Sequence, residues 1–162
     1  MRVPTHTDVT DADVAPSSVG VVVVAAGSGT RLGAALPKAF VALSGRPLLG
    51  YAVDTVARLP HLRRLVVVAP PQHTDPTSAV WAGVTLPPDA VVVAGGVERT
   101  DSVAAGLAAL GDVDVVLVHD AARPLVEVSL VEAVARAAAE AGAALPVLPL
   151  ADTVKRVRDG LV

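Results

Sequence analysis

Four short apolar runs constrain this chain more than anything else in it: Val19–Ala26, Leu65–Ala69, Ala90–Ala94 and Asp114–His119. Each is rich in Val and continuous rather than alternating, the pattern of a strand covered on both faces. Between and after them lie stretches with helical spacing, Pro47–Leu59, Pro76–Ala82, Asp101–Leu110 and Glu127–Ala141. Strands alternating with helices predict parallel βαβ units. The expected fold is therefore α/β, a Rossmann-like three-layer sandwich with a mostly parallel sheet. In such a sheet ligands bind beyond the carboxyl ends of the strands, where the strand order reverses. The loops after Ala26, Ala94 and His119 are thus where function should be sought.

Composition agrees. Aromatics are 2% of the 162 residues and hydrophobic residues 52%, so the core must be built from Val, Ala and Leu. A formal charge of -3 argues against a nucleic-acid or anionic-membrane surface, which needs a concentrated positive field. The absence of Cys removes disulfides, zinc thiolates and thiol chemistry, and fits a reducing cytoplasm. The longest apolar run, Val21–Ala26, is far short of the ~20 residues of a membrane helix. Residues 1–18 carry Asp8, Asp11 and Asp13 without an apolar stretch, and read as a mobile tail rather than a secretion signal. Residues 19–151 form the expected α/β domain.

Local signals mark the helix ends. Thr100 or Asp101 can cap the helix that stops at Gly111, and Gly142 closes the one begun near Glu127. Thr153–Val157 reads as a strand running into an Asp159-Gly160 hairpin turn whose return arm starts at Leu161. Residues 152–162 are accordingly expected to open a β-arm that continues past Val162, because half a hairpin leaves an unpaired edge.

Three strand-end segments can carry chemistry. The first is Ala25-Ala26-Gly27-Ser28-Gly29-Thr30-Arg31, followed by Pro37-Lys38. Glycines at a strand end let backbone N–H groups approach phosphate oxygens, and an Arg and a Lys can meet their charge. No Gly-Lys-Ser/Thr follows, and Leu32 stands where a dinucleotide fingerprint needs its third glycine. A Walker NTPase and a dinucleotide-dependent oxidoreductase are both disfavoured. Glycines alone are equally at home in a plain turn; Arg31 and Lys38, the latter one of two lysines in the chain, tip the balance toward a triphosphate. The second segment, Gly95-Gly96-Val97-Glu98-Arg99-Thr100-Asp101-Ser102, permits close approach to a flat base. Ser102 there can bond a base edge or merely cap the helix. The third, His119-Asp120-Ala121-Ala122-Arg123-Pro124, sets a carboxylate and a guanidinium beyond an apolar strand. Asp120 can bind a divalent cation or accept from substrate hydroxyls, and Arg123 can face a phosphate; an Asp120–Arg123 ion pair tying the loop is the equal alternative. His119 reads as a packed strand-end residue.

Taken together, the first motif with Pro37-Lys38, Gly95-Gly96 with Arg99 and Asp101-Ser102-Val103, the His119–Pro124 run, and Asp152-Thr153-Val154-Lys155 resemble the 2-C-methyl-D-erythritol 4-phosphate cytidylyltransferase family of the non-mevalonate isoprenoid pathway. The resemblance runs from about Val19 to the last residue. It implies transfer of CMP from CTP to a small polyol phosphate with release of pyrophosphate, aided by Mg²⁺, in a cytoplasmic homodimer joined through the β-arm. It places Arg31 and Lys38 as the catalytic cations, and Ala25, Ala26, Gly27, Gly29, Gly96 and Ser102 around the nucleotide. Asp120, Ala121, Arg123 and Thr153 would face the acceptor, with Asp120 also a candidate for the metal. Val97 departs from those members that carry Asp against the base, so a contact there would be main-chain only. Two further cations of the family's site, an arm Arg and a late Lys, would lie beyond Val162. The 162 residues alone are therefore expected to be catalytically incomplete. A ribitol-phosphate enzyme and a non-catalytic nucleotide-binding module are the rival readings.

Overall fold

The computed structural model describes residues 16–27, 36–155 and 157. Four parallel strands form the main sheet: β1 (Val19–Val24), β4 (Leu62–Ala69), β5 (Val91–Ala94) and β6 (Val115–Asp120), in the order β5-β4-β1-β6. A second, two-stranded antiparallel sheet joins β2 (Ala42–Leu43) to β3 (Arg46–Pro47). Helices α1 (Leu48–Val56), α2 (Arg99–Leu110) and α3 (Val128–Ala141) complete the α/β architecture.

Strand alternation sorts the core into two layers. Val19, Val21, Val23, Leu65, Val67, Val115 and Leu117 pack with Leu49 and Val53 of α1 and Ala135 of α3. Val22, Val66 and Val68 face the other way, against Leu110 of α2. The chain therefore runs helix, sheet, helix in section, as the alternation of elements predicts. β1 starts one half of the sheet and β6 the other, so the order reverses between these neighbours. Ligand-binding crevices form at such a reversal.

The expected boundaries need correction in several places. β1 stops at Val24 and β6 runs on to Asp120, because β6 stays paired with β1 in register as far as the couple Val24 and Asp120. β4 begins at Leu62, through two arginines that face solvent. Only β1 and the second half of β4 are buried on both faces; β5 is half-buried, and Val116 and Val118 of β6 are exposed. β5 and β6 are outer strands among the described residues. The helix expected over Pro76–Ala82 is reduced to one 3-10 turn, Ala79–Trp81. Seven residues with a proline at their start give too few hydrogen bonds to offset helix nucleation. Of the strand expected at Thr153–Val157, residues 153–155 and 157 are exposed and lie in no strand; a strand needs a partner, and none is paired to them. The Asp159-Gly160 turn and residues 1–15 of the expected tail over 1–18 fall outside the described residues; residues 16–18 are not loose, since Pro16 is buried and Ser18 N–H bonds the Asp114 carboxylate at 2.8 Å.

One hairpin escaped the reading of the sequence. Ser44 and Gly45, both with positive φ (50° and 82°), turn the chain between β2 and β3, which is what a two-residue hairpin turn demands. Arg46 then locks this hairpin to α1, bonding Asp54 at 2.7 Å and the carbonyls of Gly50 at 2.9 Å and Gly83 at 2.8 Å.

Candidate nucleotide-binding site

The ladder of the sheet extends one residue beyond three strand ends. Ala25 N–H bonds the carbonyl of Val68 at 2.8 Å, Gly95 N–H that of Ala69 at 2.8 Å, and Ala121 N–H that of Val24 at 3.0 Å. These bonds fix where the three loops leave the sheet, and the loops meet around one cavity of about 480 Å³. That is within the size range of small-molecule sites.

Ala25, Ala26, Gly27, Lys38, Gly96, Ser102, Asp120 and Arg123 all line it, together with Val97, Glu98, Arg99 and Ala122. Arg31 and Gly29, expected in the first loop, lie outside the described residues. Thr153 lies on the exposed segment after α3 and lines none of this wall. Ala121 corrects the expectation for the third loop: it is fully buried, with its N–H spent on Val24. Its neighbour Ala122 takes the wall instead. The alternation along β6 explains this, since Leu117, His119 and Ala121 point toward α3 while Val118 and Asp120 point away.

Each side chain has a traceable support. Lys38 opens a 3-10 turn ending at Phe40, and Phe40 is buried. The Phe40 ring meets Trp81 edge-on at 5.3 Å and His73 at 5.5 Å, while Trp81 Nε1 donates to the His73 carbonyl at 2.9 Å. This wedge holds the base of Lys38, which is exposed and lines the cavity. In the second loop the glycine pair is a matter of space. A Cβ on Gly95 would fall 2.3 Å from Ala26 Cβ, and one on Gly96 the same distance from Asp101 Cβ. Ser102 is buried; its Oγ accepts from Gly96 N–H and donates to the Glu98 carbonyl, both at 3.2 Å. It ties the loop rather than capping the helix. The N-cap position belongs to Glu98, not to Thr100 or Asp101, and Asp101 reaches back to accept from Glu98 N–H at 3.0 Å. Thr100 and Asp101 lie two and three residues inside the helix from that cap.

In the third loop Asp120 is held twice. Its Oδ1 is 2.9 Å from a guanidinium nitrogen of Arg99, and its Oδ2 is 3.2 Å from one of Arg123. The loop-tying pair with Arg123 is real, and a second partner, Arg99, was not foreseen. Sequence offers only one hint of it, a cation at a helix start, where the helix dipole disfavours positive charge. His119 is packed as expected, and burial pushes its pKa below the usual 6.5. Among the wall residues, Lys38, Arg99 and Arg123 face Glu98 and Asp120, three cations against two carboxylates, so the described wall is net positive by one.

A mostly parallel sheet with a cationic cavity built from glycine-containing loops at its order reversal defines an α/β domain of the doubly wound class, whose ligand sites lie at that reversal. The match to known families is more particular. The model of the family described as IspD, 2-C-methyl-D-erythritol 4-phosphate cytidylyltransferase, matches residues 19–162, and this chain belongs to that family. A bifunctional enzyme IspD/IspF of Clavibacter michiganensis is 56% identical over 86% of this chain and 35% of its own length. A 2-C-methyl-D-erythritol 4-phosphate cytidylyltransferase of Frankia casuarinae is 49% identical over 92% of this chain and 55% of its own. The crystal structure of the enzyme of that name from Thermus thermophilus superposes with a TM-score of 0.66 at 36% identity, covering 86% of this chain and 58% of the other. The chain thus spans between about a third and three fifths of the length of these relatives. No helix among the described residues is long and apolar enough to cross a membrane.

Proposed function

We propose that this chain carries the nucleotide-binding part of a cytidylyltransferase that transfers CMP from CTP to 2-C-methyl-D-erythritol 4-phosphate in isoprenoid precursor synthesis. The observation that supports it best is the convergence of the three strand-end loops on one cavity, with Lys38 on the first loop's side and the Asp120–Arg123 pair on the third.

An oxygen of the acceptor's monophosphate attacks the α-phosphorus of CTP; the new P–O bond forms as the bond to the β-phosphate breaks, and pyrophosphate leaves. Both attacker and leaving group are anionic, so alignment and charge neutralisation decide the barrier. Lys38 and Arg31 take the triphosphate charge. Gly96, with Ala25, Ala26 and Gly27, gives the base and ribose a wall without long side chains in the way. Asp120 accepts from acceptor hydroxyls and Arg123 meets its phosphate. Ala121 supports that loop from beneath, and Thr153, on the exposed segment after α3, is assigned to the acceptor by the family resemblance alone.

Among the described residues no three His, Asp or Glu side chains cluster to hold a metal, and the cavity wall carries two carboxylates, Asp120 and Glu98. Mg²⁺ would be held chiefly by the oxygens of the substrate phosphates, with Asp120, whose two oxygens already meet Arg99 and Arg123, as the candidate protein oxygen. When bound, Mg²⁺ adds charge neutralisation at the transferred phosphoryl group. The β-arm begun at residues 152–162 would join two copies into a homodimer, and a cytoplasmic location goes with the cysteine-free composition.

The test is pyrophosphate release by the complete natural polypeptide, with each nucleoside triphosphate against methylerythritol phosphate and ribitol phosphate. Release with CTP and methylerythritol phosphate alone is expected. Release only with ribitol phosphate moves the acceptor, and CTP binding without release under any pairing leaves a binding module.

A further inference from the structure

We infer that Arg99 is a positioning residue that makes Asp120 able to receive the acceptor; the inference rests on the function proposed above. Arg99 is the first residue of α2, a place where the helix dipole disfavours a cation. What the position offers instead is reach. The Asp120 carboxylate lies 21 residues further along the chain, at the end of β6. β5, which leads into α2, and β6 stand at opposite sides of the sheet, with β4 and β1 between them. The 2.9 Å bond therefore joins the second loop to the third and closes the cavity wall between them.

Its effect on Asp120 follows from where each oxygen goes. Arg123 sits three residues on and touches only Oδ2, and like Arg99 its side chain is mostly exposed. One contact of that kind leaves the carboxylate free to rotate. Arg99 takes Oδ1, and with both oxygens held the plane of the group is set. Each carboxylate oxygen has a second acceptor direction, so a fixed Asp120 still accepts from a hydroxyl. Charge matters equally. A bare carboxylate would repel an incoming monophosphate, whereas one carboxylate between two guanidinium groups presents a net positive face to it. Arg99 thus acts on the acceptor and not on the nucleotide.

The experiment is steady-state kinetics on the complete natural polypeptide, with acceptor binding by titration calorimetry where turnover is too slow to fit. Arg99→Gln should raise the acceptor KM about tenfold, the loss expected of one charge-assisted hydrogen bond, and leave the CTP KM within about twofold. Arg99→Lys, which keeps the charge and one donor, should recover most of the loss. In an Asp120→Asn background Arg99→Gln should add nothing, since the two act as a unit. A CTP KM rising in step with the acceptor's, or a double variant whose loss is the product of the single losses, overturns the inference. A wild-type protein that releases no pyrophosphate overturns the function proposed above; an active wild type with an Arg99→Gln variant indistinguishable from it overturns only the role of Arg99.

Discussion

Lys38 and His119 show how differently two ionisable residues near one cavity are used. Lys38 is exposed and owes its place to the buried Phe40 two residues on, so its removal should leave the fold untouched. Replacing a group that stabilises developing charge typically costs about 2.7–4 kcal/mol of barrier. Lys38→Ala in the complete natural polypeptide should lower turnover by that order, about a hundredfold or more, with an unchanged thermal unfolding curve; near-normal pyrophosphate release would remove Lys38 from the mechanism. His119 is the opposite case. Its Nε2 is buried and finds no hydrogen-bond partner among the described residues. Burial pushes its pKa below 6.5, helped by the charge of Arg123 and opposed by a backbone bond to Arg123 and the charge of Asp120. With the folded pKa below the unfolded one, the unfolded chain binds the extra proton first, and stability falls as pH drops below about 6.5. Wild type should therefore lose stability between pH 7.5 and 5 in denaturant titrations, and His119→Gln should lose less. Parallel losses in the two proteins would show that His119 titrates equally well in both states.

Among the elements, α2 carries Arg99 and Ser102 and is pressed against the sheet by a missing side chain. A Cβ on Gly106 would fall 2.4 Å from Val22 Cγ1 and 2.9 Å from Val68 Cγ2, and both valines are fully buried. Gly106→Ala gains about 1 kcal/mol of helix propensity but overpacks a site with no room, at about 1–3 kcal/mol. Overpacking should win, giving a lower denaturant midpoint and a raised CTP KM as the helix start lifts from the cavity; a raised midpoint would show that the layers relax freely. The same closeness explains what was legible in the sequence. Continuous Val runs declare strands whatever they pack against, and glycines at strand ends declare loops, so the layers and the three-loop cavity could be read directly. Features decided by partners could not. The Glu98 cap depends on where Asp101 turns back, the burial of Ala121 depends on β6 staying paired as far as Asp120, and the Arg99–Asp120 bond joins loops 21 residues apart. The Ser44-Gly45 turn has a legible signal in its Ser-Gly pair, but two-residue strands on either side have no period to mark them as a hairpin.

At the scale of the whole molecule the sheet is lopsided. β1 and β4 are sandwiched, while β6 has no neighbour on its far side among the described residues, and Val116 and Val118 are 41% and 42% exposed. A groove of about 800 Å³ runs along β6, walled by Leu130, Val131 and Val134 of α3. An apolar parallel strand with an open hydrogen-bonding edge is a template for association unless something covers it. Two routes to self-association then compete in the 162-residue polypeptide, this edge and the proposed β-arm, and they can be told apart. A single charge on an edge strand is an effective block to pairing, and Val118 already borders solvent, so Val118→Lys should cost little stability. Sedimentation velocity of the polypeptide at rising concentration should show association that Val118→Lys abolishes and Val154→Lys, on the exposed segment leading into the arm, does not. The reverse pattern would assign self-association to the arm, and a wild type that stays monomeric throughout would mean that the β6 edge is covered in solution.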